Sequence, residues 1–183
     1  NNIIAFGCNF INGASPLLNL YNLFMEHKTN VMRVLDAAEI TYKHYSYDAK
    51  EALSGTEVAA CLKENPAQVF KTLVTCGKSR AHYVFLIPVA EELDLKKAAK
   101  ACGEKSVEMV KSKELLPLTG YIHGGCSPVG MKKFFKTFID SSASAFETII
   151  FSGGKVGFQV EVSLADLAEV LEFSLVELTL KKS

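Results

Sequence analysis

No two cysteines in this chain have redox or metal-ligand spacing. Cys8, Cys61, Cys76, Cys102 and Cys126 are scattered, odd in number and form no C-x-x-C pair. That argues against a disulfide framework and against a zinc ribbon. Free thiols suit a reducing compartment, so a cytoplasmic setting is expected. Net charge is absent too: 20 basic residues balance 20 acidic ones. Nor is there a long unbroken apolar run. Residues 1–24 are apolar without Lys or Arg, so they lack the positive start of a secretory signal. Asn9, Asn12, Gly13, Pro16 and Asn22 interrupt them too often for a membrane span. No membrane association is expected, and residues 1–24 are set apart as an N-terminal extension of one domain, 25–183.

The familiar catalytic signatures are missing as well. There is no G-x-S-x-G and no H-E-x-x-H, and Ser152-Gly-Gly-Lys155-Val-Gly157 lacks the spacing and the hydroxyl residue of a phosphate-binding loop. His27, His44, His82 and His123 stand apart. His44 and His82 fall in strand-like runs, where a structural role outweighs metal binding. No metal or cofactor is implied.

What remains is a chain of 183 residues, 49% hydrophobic and 22% charged, enough for one domain with a proper core. Its charge is unevenly spread. Residues 71–136 hold 12 basic and 6 acidic side chains, against 5 and 7 in 1–70 and 3 and 7 in 137–183. A basic middle can face a polyanion or simply solvate helix faces, and charge alone leaves both open.

Thr29 to Ala38 has apolar residues at helical spacing, and Tyr42 to Tyr47 reads as a strand. Ser54-Gly-Thr-Glu57 is a capping box for a helix through Leu62, stopped by Asn65-Pro66. Gln68–Cys76 and Ala81–Pro88 read as a hairpin turning at Gly77–Arg80. Asp94 caps a helix that Gly103 ends. A short strand over Val107–Val110 and a helix-like Ser112–Leu116 precede an irregular, glycine-rich stretch from Thr119 to Gly130. Thr148–Phe151 and Gly157–Val162 are strands, and Ser163 caps a last helix ending near Leu171. Short strands mixed with helices predict one α/β or α+β domain rather than a doubly wound fold.

Three features carry possible chemistry. Lys71 lies in the apolar strand Val69–Val74, sharing a face with Val69 and Leu73 while Phe70, Thr72 and Val74 share the other. Such a lysine either snorkels to water, as an edge-strand solubility residue, or meets an anionic or carbonyl group. Gly124-Gly-Cys-Ser-Pro128 lets backbone N–H groups approach a ligand and supply oxyanion donors, or is a plain turn. Ser152-Gly153-Gly154 sits at a hairpin tip, where Gly-Gly is structurally sufficient by itself.

In order and spacing, six segments resemble the YbaK/prolyl-tRNA-synthetase-associated domain family. They are Ala52–Val58, Val69–Val74, Leu93–Ala99, Thr119–Tyr121, Gly124–Gly130 and Phe151–Gly154. The free-standing bacterial Cys-tRNA(Pro) deacylases are the most similar in look. The resemblance implies a mixed, mostly antiparallel, barrel-like sheet flanked by helices; a monomer is the default expectation. It implies an ester hydrolase acting in trans on mischarged tRNA(Pro), with a prolyl-tRNA synthetase as a further partner. A proline pocket separates small apolar side chains by only about 1–3 kcal/mol, so a second, hydrolytic site supplies the discrimination.

By that resemblance Lys71, Gly124 and Ser152 are catalytic. Lys71 holds the tRNA 3′ end or aminoacyl group, and Gly124 and Gly125 contact the scissile carbonyl. Tyr47, Thr72, Gly125, Pro128, Gly153, Gly154 and Gln159 contact substrate. In the cysteine-editing members the substrate's own thiol attacks its ester, and Cys126 is an alternative nucleophile here. Gln159 stands where relatives carry aspartate, Val156 where they often carry a basic residue, and the segment between Tyr47 and Ser54 is shorter than in some members. A neutral amide cannot pair with an amine as a base does, which keeps open a second reading, a non-catalytic aminoacyl or tRNA-end binding module. An ordinary small-ligand domain would be indifferent to the basic middle.

Overall fold

Thr29 is extended, and its hydroxyl accepts the Met32 N–H to start helix α1 (Asn30–Ala37), which buries Val31, Met32 and Leu35. The computed structural model describes residues 28–48 and 54–180. The expected 1–24 extension, and residues 49–53 of the shortened segment, lie outside the described residues. After α1 come β1 (Lys43–Ser46), α2 (Gly55–Leu62), β2 (Phe70–Gly77), β3 (His82–Pro88), α3 (Leu95–Cys102), β4 (Val107–Met109) and α4 (Ser112–Thr119). Then follow β5 (Lys136–Asp140), a 3-10 turn (Ser141–Ala145), β6 (Thr148–Ser152), β7 (Phe158–Ser163), α5 (Leu164–Ala168) and β8 (Phe173–Val176).

Two sheets form, a three-stranded one ordered β1-β7-β6 and a five-stranded one ordered β4-β2-β3-β5-β8. The first is antiparallel throughout. In the second, β4-β2-β3 is antiparallel while β3-β5-β8 is parallel. A bridge between Val69 and Ile150 joins the sheets. The fold is thus the expected mixed, mostly antiparallel α/β domain. Its sheets are linked at a corner without closing into a true barrel.

Strand β3 explains the packing. Val84, Phe85, Leu86 and Ile87 are all buried because the strand is covered on both faces. Val84 and Leu86 join Phe70, Ile139, Phe151 and Val160 under α1. Phe85 and Ile87 pack with Phe138, Ala98 and Ala99 under α3. Each such side chain contributes on the order of 1.5–3 kcal/mol, well above any exposed ion pair. A third cluster, Ala59, Val69, Val89 and Ile150 with Tyr45 against it, ties α2 to the inter-sheet bridge.

Local expectations hold where signals are local. The capping box is complete, with Ser54 Oγ accepting the Glu57 N–H and the Glu57 carboxylate accepting the Ser54 N–H at 2.7 Å. Asp94 caps α3, and Gly103 ends it at φ +75°. Helix α4 runs further than expected, through Pro117 to Thr119. The Thr119 hydroxyl donates to the Leu115 carbonyl at 2.8 Å, and Gly120 stops the helix at φ +87°. The last helix is shorter, and continues as tight bonds from Glu169 to Asp166 and from Val170 to Leu167. Strands β5 and β8 have no counterpart in the sequence reading.

Candidate active site

Strand β2 is paired by β4 only from Thr75 to Gly77, and its other end meets β6 only at the Val69–Ile150 bridge. The interval between them borders a cavity of about 360 Å³. Its wall combines residues 69–74 of β2, the start of α2 (Ser54, Gly55, Val58) and the β4–α4 connection (Met109, Val110, Ser112, Leu115). His123, Gly124 and Cys126 come from the loop after α4, and Tyr47, Ser152 and Gln159 from the small sheet. Distant segments converge because the β6–β7 register sets Ser152 opposite Gln159, while the Tyr47 N–H bonds to the Gly157 carbonyl at 2.9 Å.

Of the residues singled out in the sequence, Lys71, Thr72, Gly124, Ser152, Gln159 and Tyr47 line this one cavity. Gly125, Pro128, Gly153 and Gly154 lie behind it. The Gly125 N–H is taken by the Ile122 carbonyl at 3.0 Å, and a Cβ there would meet the Val156 nitrogen at 3.0 Å. Pro128 is buried. The Gly153 N–H bonds to the Phe158 carbonyl at 2.9 Å. Gly154, at φ +86°, donates to Ser152 Oγ at 3.2 Å and packs where a Cβ would strike Val31 at 2.7 Å. The His123, Gly124 and Cys126 N–H groups meet no acceptor among the described residues, so this loop keeps main-chain donors free beside the cavity.

Lys71 takes the carbonyl option. Its Nζ donates to the Val89 carbonyl at 3.2 Å. Half-buried, it has its pKa pushed down by desolvation against the opposing pull of Glu92 and Glu91. Among the described lining residues it is the one fixed charge, and none of them is a carboxylate. Gln159 is buried, and its amide has no hydrogen-bond partner among the described residues.

Neither Cys126 nor Ser152 is activated as a nucleophile. Burial pushes the Cys126 thiol up to about 11, against a hydrogen bond from Thr119, so it stays protonated at neutral pH. Ser152 Oγ accepts the Gly154 N–H, and no hydrogen bond joins it to a base among the described residues. Nor do three or more His, Cys, Asp or Glu side chains converge to hold a metal among those residues. The apolar part of the wall, from Val58 to Leu115, escaped the sequence reading. Its residues carry ordinary helix and strand patterning, and only sheet pairing brings them together.

Behind Gln159 on the same face of β7 sits Glu161, buried and bonded to Thr148 Oγ1 (2.6 Å), Lys43 Nζ (3.2 Å) and the Tyr45 hydroxyl. Burial pushes its carboxyl up, but the hydrogen bonds from Thr148, Tyr45 and Lys43 outweigh that and hold it below the usual glutamate range.

The model of the aminoacyl-tRNA editing domain matches residues 49–170. The chain belongs to this family. The editing domain is 42% identical over 158 residues (86% of this chain, 96% of the relative) to an Enterococcus faecalis protein named as a candidate Cys-tRNA(Pro)/Cys-tRNA(Cys) deacylase, EbsC. A crystal structure described as a candidate trans-editing enzyme for prolyl-tRNA synthetase superposes with a TM-score of 0.73 at 21% identity, covering 92% of this chain and 100% of that one. A hypothetical protein of known structure also gives 0.73 at 21% identity, covering 83% and 100%. At that identity the two structures attest the fold. Family and relative together make this editing domain an aminoacyl-tRNA hydrolase. No helix among the described residues is long and apolar enough to cross a membrane.

Proposed function

We propose that this editing domain hydrolyses cysteine from mischarged tRNA(Pro), with the substrate thiol as the attacking group. One observation carries the reading. The cavity gathers a cation and loop N–H donors, yet the Cys126 thiol is held protonated and the Ser152 hydroxyl is bonded to no base among the described residues. Such a site is suited to orient and stabilise, so a substrate that brings its own nucleophile is the natural fit. The cysteinyl sulfur bonds to its ester carbonyl, the bond to the ribose oxygen breaks, and the thiol proton passes to that oxygen. Water then opens the strained thiolactone to free cysteine.

In this reading Lys71 holds the tRNA 3′ end beside the ester, and the Gly124 and Cys126 N–H groups meet the carbonyl oxygen as it gains charge. Ser152, Gln159 and Tyr47 position the aminoacyl group. The name of the E. faecalis relative supports cysteine as the amino acid, and that of the structural neighbour supports action beside a prolyl-tRNA synthetase. Residues 1–24 stand outside this activity.

The test is hydrolysis of Cys-tRNA(Pro), Ala-tRNA(Pro) and the serinyl ester by the protein and its Lys71→Ala variant. Preferential cleavage of the cysteinyl ester, lost in the variant, is expected. A serinyl ester cleaved as fast as the cysteinyl one refutes thiol assistance. The neutral Gln159, in a wall without a carboxylate among the described residues, favours one other reading, a binding module for aminoacyl ends. That reading takes over if none of the esters is cleaved even with prolyl-tRNA synthetase present.

A further inference from the structure

The cavity wall contains a length of strand edge without a partner strand. Three bonds fix which way the β2 main chain points. The Val69 carbonyl accepts from Val89 N (2.8 Å) on the β3 side, while the Gln68 and Val74 carbonyls accept from Ile150 N and Val110 N (both 3.0 Å) on the opposite side. Main-chain groups alternate along a strand, so Thr72 also turns its N–H and C=O away from β3. There β6 has ended and β4 has not begun. No ladder or bridge pairs Thr72 on that side among the described residues, and the Thr72 hydroxyl oxygen is buried without a hydrogen-bond partner.

Unpaired strand edges and orphaned buried hydroxyls are costly, and folded proteins normally cover them. Here Thr72 is among the residues that line the cavity. The aminoacyl ester of the proposed reaction carries an amino group, and among the described residues nothing anionic lines the wall to receive it. Lys71 would repel an ammonium, and Gln159 offers only a neutral amide. Thr72 adds unused acceptors at the strand edge itself, beside the unpartnered Gln159 amide. We infer that the Thr72 main-chain carbonyl and hydroxyl form the subsite for the substrate α-amino group, so that the amine docks as a strand residue's N–H would. This rests on the deacylase reading above and adds the group by which an aminoacyl ester is told from any other thiol-bearing ester.

Two tRNA esters that differ only at the α position test it: cysteinyl-tRNA(Pro) and its 2-hydroxy-3-mercaptopropionyl counterpart. Both keep the thiol, and their intrinsic difference in reactivity, measured on the uncatalysed esters, is divided out of the ratio. The hydroxy ester is expected to show kcat/KM lower by roughly tenfold or more, the effect of a missing charge-assisted hydrogen bond. The isosteric Thr72→Val variant should narrow that ratio several-fold and fold as stably as the parent, since it removes an unsatisfied hydroxyl. Thr72→Ser should keep the ratio. Equal cleavage of both esters by the parent protein, or a ratio unchanged in Thr72→Val, overturns the subsite while leaving the deacylase intact. Cleavage of neither ester overturns the deacylase reading, and this subsite with it.

Discussion

Gly124 occupies the third position of the turn from Ile122 to Gly125, at φ +81°, and a Cβ there would find only Val156 at 3.6 Å. Strain at Gly124→Ala therefore comes from the backbone, which needs φ > 0 as in a type II turn. The expected cost is about 1–2 kcal/mol, read as a lowered urea midpoint, with activity falling by a larger factor because the loop donors move. Cys126→Ala should behave differently. With its thiol pushed up to about 11, the side chain is a small apolar filler, and the variant should keep its kcat on Cys-tRNA(Pro) within a few-fold. A collapse of kcat without loss of stability would restore Cys126 as a nucleophile. Glu161 gives the pH prediction. Its folded pKa lies below the usual glutamate value, so its stabilisation is present above about pH 4.3 and is lost as pH falls through the folded pKa. Glu161→Gln should thus destabilise by about 1–3 kcal/mol at pH 7 and by much less at pH 3. An equal gap at both pH values in urea unfolding would show that the carboxylate charge does not matter.

Helix α2 shows what an element contributes to the site. Its capping box fixes where the helix starts, and Ser54 and Gly55 are themselves part of the cavity wall. Gly55 packs so tightly that a Cβ would lie 2.6 Å from Val89, whose carbonyl holds Lys71. Ser54→Ala should cost about 1 kcal/mol in thermal unfolding and also raise KM, since loosening the first turn disturbs the Lys71 anchor. Capping residues, the β2–β3 hairpin and the Gly103 stop were readable because their signals lie within a few residues of one another. Strand β5 was not. Lys136–Asp140 pairs in parallel with β3 and β8, partners remote in sequence. Its end is held by Asp140, a buried carboxylate that accepts the Leu178 N–H at 2.8 Å, a bond no local pattern announces. The site divides the same way. Lys71, Gly124 and Ser152 were noticed for being unusual where they stand. The open edge at Thr72 exists only because β4 and β6 stop short on either side of it.

At the scale of the molecule, the basic middle of the sequence becomes a place. Helix α4 and the loop after it border the cavity, and Lys111, Lys113, Lys132 and Lys133 are exposed along them. Lys132 reaches back to the Leu116 carbonyl at 3.3 Å, with Ile122 and Leu116 about half exposed nearby in the chain. A neutral protein that must hold a tRNA end has to concentrate its positive charge where the end enters, because phosphate neutralisation dominates affinity for nucleic acid. The double variant Lys132→Glu/Lys133→Glu should therefore lower kcat/KM on full-length Cys-tRNA(Pro) by tenfold or more. It should also flatten the dependence of log(kcat/KM) on log salt concentration by roughly 1.5, about 0.7–0.9 for each phosphate no longer neutralised. A cysteinyl ester of adenosine alone reaches the same cavity without a stem, so its cleavage should be unchanged and nearly salt-independent. If both substrates are cleaved more slowly together, these lysines support the loop rather than the tRNA. If neither is, the basic middle only solvates the surface, and the stem lies against another face or against a partner such as the synthetase.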